Sequence, residues 1–155
     1  NRYRLVYSIQ DEPFSIQNFH SNTINKEQTL ILIMAKETNN VFGGYRRLEW
    51  KEDALISDCL QRTSDPFSFI FSLKNQIVNK PIRFDYKNLQ NFYNENDCEI
   101  SFGQDIKIDK EINFTSILGS SYFNENYGNE IKNHSDTFLA GYRFFEIVGF
   151  EAYSV

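Results

Sequence analysis

Thr29-Leu30-Ile31-Leu32-Ile33-Met34-Ala35 is apolar on both of the faces that a two-residue period gives it. Such a run predicts a strand covered on both sides. Phe67, Phe69, Phe71 and Leu73 alternate with Ser68, Ile70 and Ser72, which predicts a second strand with one face mostly small and polar. Working outward, Ile82, Phe84 and Tyr86 repeat the alternation, and so do Ile100, Phe102, Ile106 and Ile108. Arg4 to Ser8 is a short β-prone run. Tyr142 to Val148 and Phe150 to Val155 read as two strands around Gly149, or as one strand bent there.

Two stretches have helical character instead. Glu12-Pro13-Phe14 opens a brief helix, with Pro early and the apolar Ile16 and Phe19 three apart. Leu55, Ile56, Cys59 and Leu60 form a helical stripe between Asp53 and Thr63, ended by Asp65-Pro66. The Asn-rich stretches Asn88 to Asp97 and Asn124 to Ser135 are predicted to be long loops. No internal repeat and no Gly/Ser or Pro linker divides the chain. Six or more short strands with two brief helices predict an α+β, mainly β domain: a two-sheet antiparallel β-sandwich with small flanking helices.

Composition bounds the function classes. The chain has 155 residues, 41% hydrophobic and 16% aromatic, enough for one domain with a real core and unlike a disordered tail. No apolar run reaches the roughly 18 residues that cross a bilayer, so no membrane insertion is expected. A net charge of −5 disfavours a nucleic-acid or anionic-membrane surface. Two cysteines make no disulfide framework, which points to an intracellular, cytoplasmic setting. Seventeen Asn and sixteen Ile beside four Ala are read as the mark of an AT-rich genome before they are read as physics.

Motifs for chemistry are sparse. Cys59, Cys98, His20 and His134 lack metal-ligand spacing, so no metal is expected; Cys59 reads as a core residue and both histidines as solvated loop residues. Gly119-Ser120-Ser121 lacks the pattern of a nucleophile elbow, and Phe42-Gly43-Gly44-Tyr45 lacks that of a phosphate cradle. Asp97, Glu99, Asp105, Asp109 and Glu111 cluster, and the even spacing of Asp105 and Asp109 places both on one strand face. Lys107 and Lys110 interleave with them, as on a solvated strand edge. The sequons at Asn113 and Asn133 matter only in a secreted protein. Gly43-Gly44 imply positive φ or a close backbone approach, hence a tight bend or bulge between strands, and Trp50 reads as a core anchor.

In order and spacing, these pieces resemble the TLDc domain family. Phe42-Gly43-Gly44-Tyr45, then Trp50-Lys51, then Phe67 to Leu73 are similar to its FGGY…W…FLFSL core, and Phe102-Gly103-Gln104-Asp105-Ile106 to its FG-x-DI step. Ser116 to Tyr122, Leu139-Ala140-Gly141 and Phe145 to Tyr153 are similar to segments of protist members. The resemblance covers residues 1–155 as a single domain, read as a fragment of a longer chain with the N-terminal part of the domain truncated. It implies a β-sandwich with no established catalytic residues and no cofactor.

The resemblance further implies the oxidation-resistance type: support of oxidative-stress resistance through binding and regulating the vacuolar proton-pumping ATPase. A non-enzymatic protein-interaction domain is the expectation, with peripheral ATPase subunits as partners. Gly43, Gly44, Tyr45, Gly103 and Asp105 are the family-motif positions taken as binding candidates, and they also serve to shape the fold. The alternative within that class is a structural scaffold in a cytoskeletal or ciliary assembly. From another class come a hydrolase on the Asp97–Glu111 carboxylates and a thiol redox enzyme on Cys98.

Overall fold

The structure is a computed structural model that describes residues 2–10, 12–24, 26, 28–47, 61–63, 66–87, 94–96, 100–109 and 111–155, with 61–63 and 94–96 described as backbone alone. In chain order the elements are β1 (Arg4–Ser8), α1 (Ile16–Thr23), β2 (Thr29–Ala35), β3 (Val41–Arg46), β4 (Gln61–Thr63), β5 (Phe69–Lys74) and β6 (Ile82–Tyr86). There follow β7 (Asn94–Asn96), β8 (Ile100–Phe102), β9 (Ile106–Ile108), β10 (Phe114–Ser116), β11 (Tyr122–Phe123), α2 (Gly128–Asn133), β12 (Phe144–Phe145) and β13 (Ile147–Ser154). A seven-stranded sheet runs β1-β13-β2-β3-β5-β6-β11, a four-stranded sheet runs β12-β10-β9-β8, and β4 pairs with β7. Every pairing is antiparallel, as the expected mainly β sandwich requires. No helix among the described residues is long and apolar enough to cross a membrane.

The two sheets bury aromatic and branched side chains between them. Phe42 meets Phe145 edge-on with ring centroids 5.5 Å apart, and Phe84 meets Phe138 at 5.4 Å. Ile100, Phe102, Ile106 and Ile108 all face this core. At the β1 end, Tyr7, Phe19 and Phe150 close it with edge-to-face contacts of 5.8 to 5.9 Å. Ser15 caps α1 by accepting from the Asn18 N–H, so the helix starts later than Glu12-Pro13-Phe14 suggests.

Several expectations are corrected. β2 is covered fully on one face only: Ile31, Ile33 and Ala35 are buried, whereas Leu30 and Leu32 are half-buried and Met34 is exposed. In β5 and the residues before it the expected alternation is present, and the small, polar face, which the sequence did not assign inward or outward, is the inner one. Ser68, Ile70 and Ser72 are buried, and Phe67 and Leu73 are exposed. Hydrogen bonds make this tolerable: Ser68 Oγ lies 2.6 Å from Tyr122 Oη, and Asn75 Nδ2 donates to Ser72 Oγ at 2.8 Å.

β13 is one strand with an irregularity between Ile147 and Gly149, the second of the two readings of that stretch. The Asn124–Ser135 stretch is largely helical, because Asn124 accepts from the Asn126 N–H and starts a 3-10 turn that leads into α2. Asn94–Asn96, expected in a loop, forms β7. The stripe of Leu55, Ile56, Cys59 and Leu60, and Trp50 and Cys98, lie outside the described residues.

Candidate functional site

Gly43 and Gly44 sit in the middle of β3, not at a bend between strands. Their need is close approach. A Cβ on Gly43 would fall on the Ile31 carbonyl oxygen of the neighbouring strand, and one on Gly44 would stand 2.5 Å from the Phe102 ring. Gly44 is therefore the gap through which Phe102 of the second sheet reaches the first. Phe102 opens the tight turn Phe102-Gly103-Gln104-Asp105, closed by the Asp105 N–H donating to the Phe102 carbonyl at 3.1 Å. Gly103 takes φ +57 there, and any Cβ on it would strike the Ser121 side chain.

Asp105 completes this junction. Its carboxylate is fully buried and accepts the backbone N–H groups of Gly119 (3.0 Å), Ser121 (2.8 Å) and Tyr122 (3.0 Å). Its own carbonyl accepts from the Ile117 N–H at 3.0 Å. The side chain thus ties the 117–122 segment to the β8–β9 turn, with both carboxylate oxygens occupied. Removal from water pushes the carboxyl up to about 7, and the N–H groups of Gly119, Ser121 and Tyr122 pull it back towards the anion.

Between roughly pH 4 and pH 7 the folded state holds a proton that the unfolded chain has released, so this group's contribution to stability is fullest below pH 4 and declines to about pH 7. Denaturant titrations of the parent and Asp105→Asn across that window should differ in slope in this sense. Equal slopes would remove Asp105 as the titrating group.

Asp105 and Asp109 do not share a strand face. Asp105 is buried in the turn before β9, and Asp109 is half-buried just after it. Asp109 accepts the N–H groups of Glu111 and Asn113 at 2.9 Å each, together with the Asn113 amide at 3.0 Å. Slight burial raises its carboxyl, but the Asn113 and Glu111 donors and the Lys107 charge outweigh that and hold it below its ordinary value. His20 is likewise not a solvated loop residue. It is buried on α1, where Phe19, His20 and Thr23 form the inward stripe. Among the described residues no three His, Cys, Asp or Glu side chains gather as metal ligands would.

The candidate positions therefore separate. Gly44 faces the Phe102 ring between the sheets, and Gly103 and Asp105 hold the turn that Phe102 opens, whereas Tyr45 lies on the outer face of the seven-stranded sheet. There Tyr45 stacks on Phe69 at 5.0 Å, and the Arg83 guanidinium lies 3.8 Å from the centre of the Phe69 ring. Register places Leu30, Leu32, Met34, Tyr45, Phe69 and Phe71 on this same outer face. This apolar surface was missed as a site; its sequence signal is the surplus of apolar residues on the second face of Thr29–Ala35.

A family model described as TLDc domain matches residues 1–155, the whole chain. No curated protein matches the sequence.

Proposed function

The chain belongs to the TLDc domain family, and from that premise we propose that it is a non-enzymatic protein-interaction domain of the oxidation-resistance type. It binds peripheral subunits of the vacuolar proton-pumping ATPase from the cytoplasm, regulates the pump's assembly and so supports resistance to oxidative stress. The supporting observation is the outer face of the seven-stranded sheet, where Leu30, Leu32, Tyr45, Phe69 and Phe71 are only half-buried and Met34 and Leu73 are exposed. An apolar strip of this kind is what protein partners cover. A second observation favours binding over catalysis: Asp105, the buried carboxylate among the described residues, has both oxygens committed to backbone N–H groups.

Met34→Glu and Leu73→Glu should each weaken binding to the purified peripheral sector of the ATPase by about tenfold or more, since a carboxylate buried against an apolar partner loses its water unpaired. Both sites are exposed, so stability should change by no more than about 0.5 kcal/mol. Pull-down with melting curves reads both quantities. Full binding by both stably folded variants would sink this placement of the interface.

A further inference from the structure

At one end of the sandwich, a groove of about 700 Å³ opens between the segment leading into α1 and the strands β10 and β12. Its floor is aromatic: Phe14 and Phe114 meet edge-on at 5.3 Å and rest against the core. Its rim is apolar and wet, with Phe144 69% and Ile112 43% exposed. The only charged side chains lining it among the described residues are Glu12 and Glu146. Glu146 has a cation of its own, Lys36 at 3.2 Å, but both side chains are mostly in water and such a pair is easily exchanged. Arg143 lies outside the lining, 5.6 Å from the Phe144 ring.

Ile112, on the groove rim, has a strained backbone. It takes φ +64, a left-handed conformation costly for a β-branched residue and natural to Gly or Asn. Its surroundings enforce it: the Ile112 N–H donates to the Asp109 carbonyl at 3.0 Å, and the Asp109 carboxylate gathers the N–H groups on either side. The strained side chain is not spent on the hydrophobic core. It stands half-exposed on the groove rim.

We infer that this groove is a binding site for a short peptide segment carrying an apolar side chain flanked by Lys or Arg. The apolar side chain fills the aromatic floor, Ile112 and Phe144 close over it, and Glu12 and Glu146 pair with the flanking cations. Among the described residues β12 is the terminal strand of its sheet and pairs only with β10, so a backbone edge borders the groove and favours an extended peptide over a small molecule. The chain's net charge of −5 steers in the same direction. The site lies apart from the outer face of the seven-stranded sheet, so either reading can fail without the other.

The test is selection of a randomised heptapeptide library on the purified domain, followed by fluorescence anisotropy with the enriched peptides synthesised singly. Enriched peptides should pair an apolar residue with Lys or Arg, and Glu12→Gln with Glu146→Gln together should weaken them about tenfold or more. Ile112→Asn should weaken binding similarly while leaving the melting temperature unchanged or raised, because it relieves the left-handed strain. Absence of enrichment would overturn the inference. So would acidic or neutral winners indifferent to the glutamate variants, or an Ile112→Asn protein that loses binding only because it melts lower.

Discussion

Asp105→Ala lowers the melting temperature of the purified domain by roughly 10 °C, the largest effect expected of any single polar substitution. The carboxylate accepts three backbone N–H groups from Gly119, Ser121 and Tyr122 at 2.8 to 3.0 Å, in a place without solvent. Alanine leaves those three donors buried and unpaired. Each costs about 1–3 kcal/mol, so the sum is ~3 kcal/mol or more, reduced by whatever is recovered from no longer burying a carboxyl. The loss should be larger at pH 4.5 than at pH 7.5, because burial raises the parent's carboxyl to about 7 and the parent is the more stable protein in acid. Calorimetry at the two pH values checks size and sign together. An alanine variant that melts like the parent would mean that the 117–122 segment holds itself in place.

Gly44→Val is expected to destabilise by about 1–3 kcal/mol or to prevent folding, and the cause is the Phe102 ring. Three ring atoms lie within 2.7 Å of where the new Cβ must go, and Phe102 is buried, with no open side to swing towards. Two explanations give the same single-mutant result: lost backbone freedom at a glycine, and collision with the facing sheet. A double-mutant cycle separates them. Phe102→Ala alone should cost about 3–5 kcal/mol, and combining it with Gly44→Val should cost less than the sum by about 0.5–3 kcal/mol, because the cavity made by one receives the methyls of the other. Strict additivity would return the explanation to the backbone.

Local signals in the sequence are sufficient for some of the strands, though not for β3 or β7. Thr29–Ala35 and Arg4–Ser8 are strands with those bounds, since a two-residue period needs no distant information. Which face of the Phe67–Leu73 run turns inward was not legible, because the answer depends on Tyr122, 54 residues away from the Ser68 it meets. The same holds for Asp105: its partners lie 14 to 17 residues downstream, and the even spacing to Asp109 suggested a shared strand face that the intervening turn abolishes. Gly43-Gly44 announced a close approach in the sequence, but only the sandwich reveals that Ile31 and Phe102 are what approach. Asn124 is by contrast a local signal, an Asn in capping position ahead of Glu125-Asn126-Tyr127.

The central claim, that the motif residues Gly44, Gly103 and Asp105 build the sandwich while the outer face of its larger sheet meets the partner, is tested most directly by hydroxyl-radical footprinting. The domain would be oxidised alone and with the purified peripheral sector of the vacuolar ATPase, and modification read at Met34, Tyr45, Phe69, Phe71, Tyr142 and Phe144 by mass spectrometry. The expected result is protection of Met34, Tyr45, Phe69 and Phe71 in the complex, with the exposed Phe144 of the four-stranded sheet and the exposed Tyr142 before it unchanged. Unaltered oxidation of those four residues in the presence of the sector would contradict it.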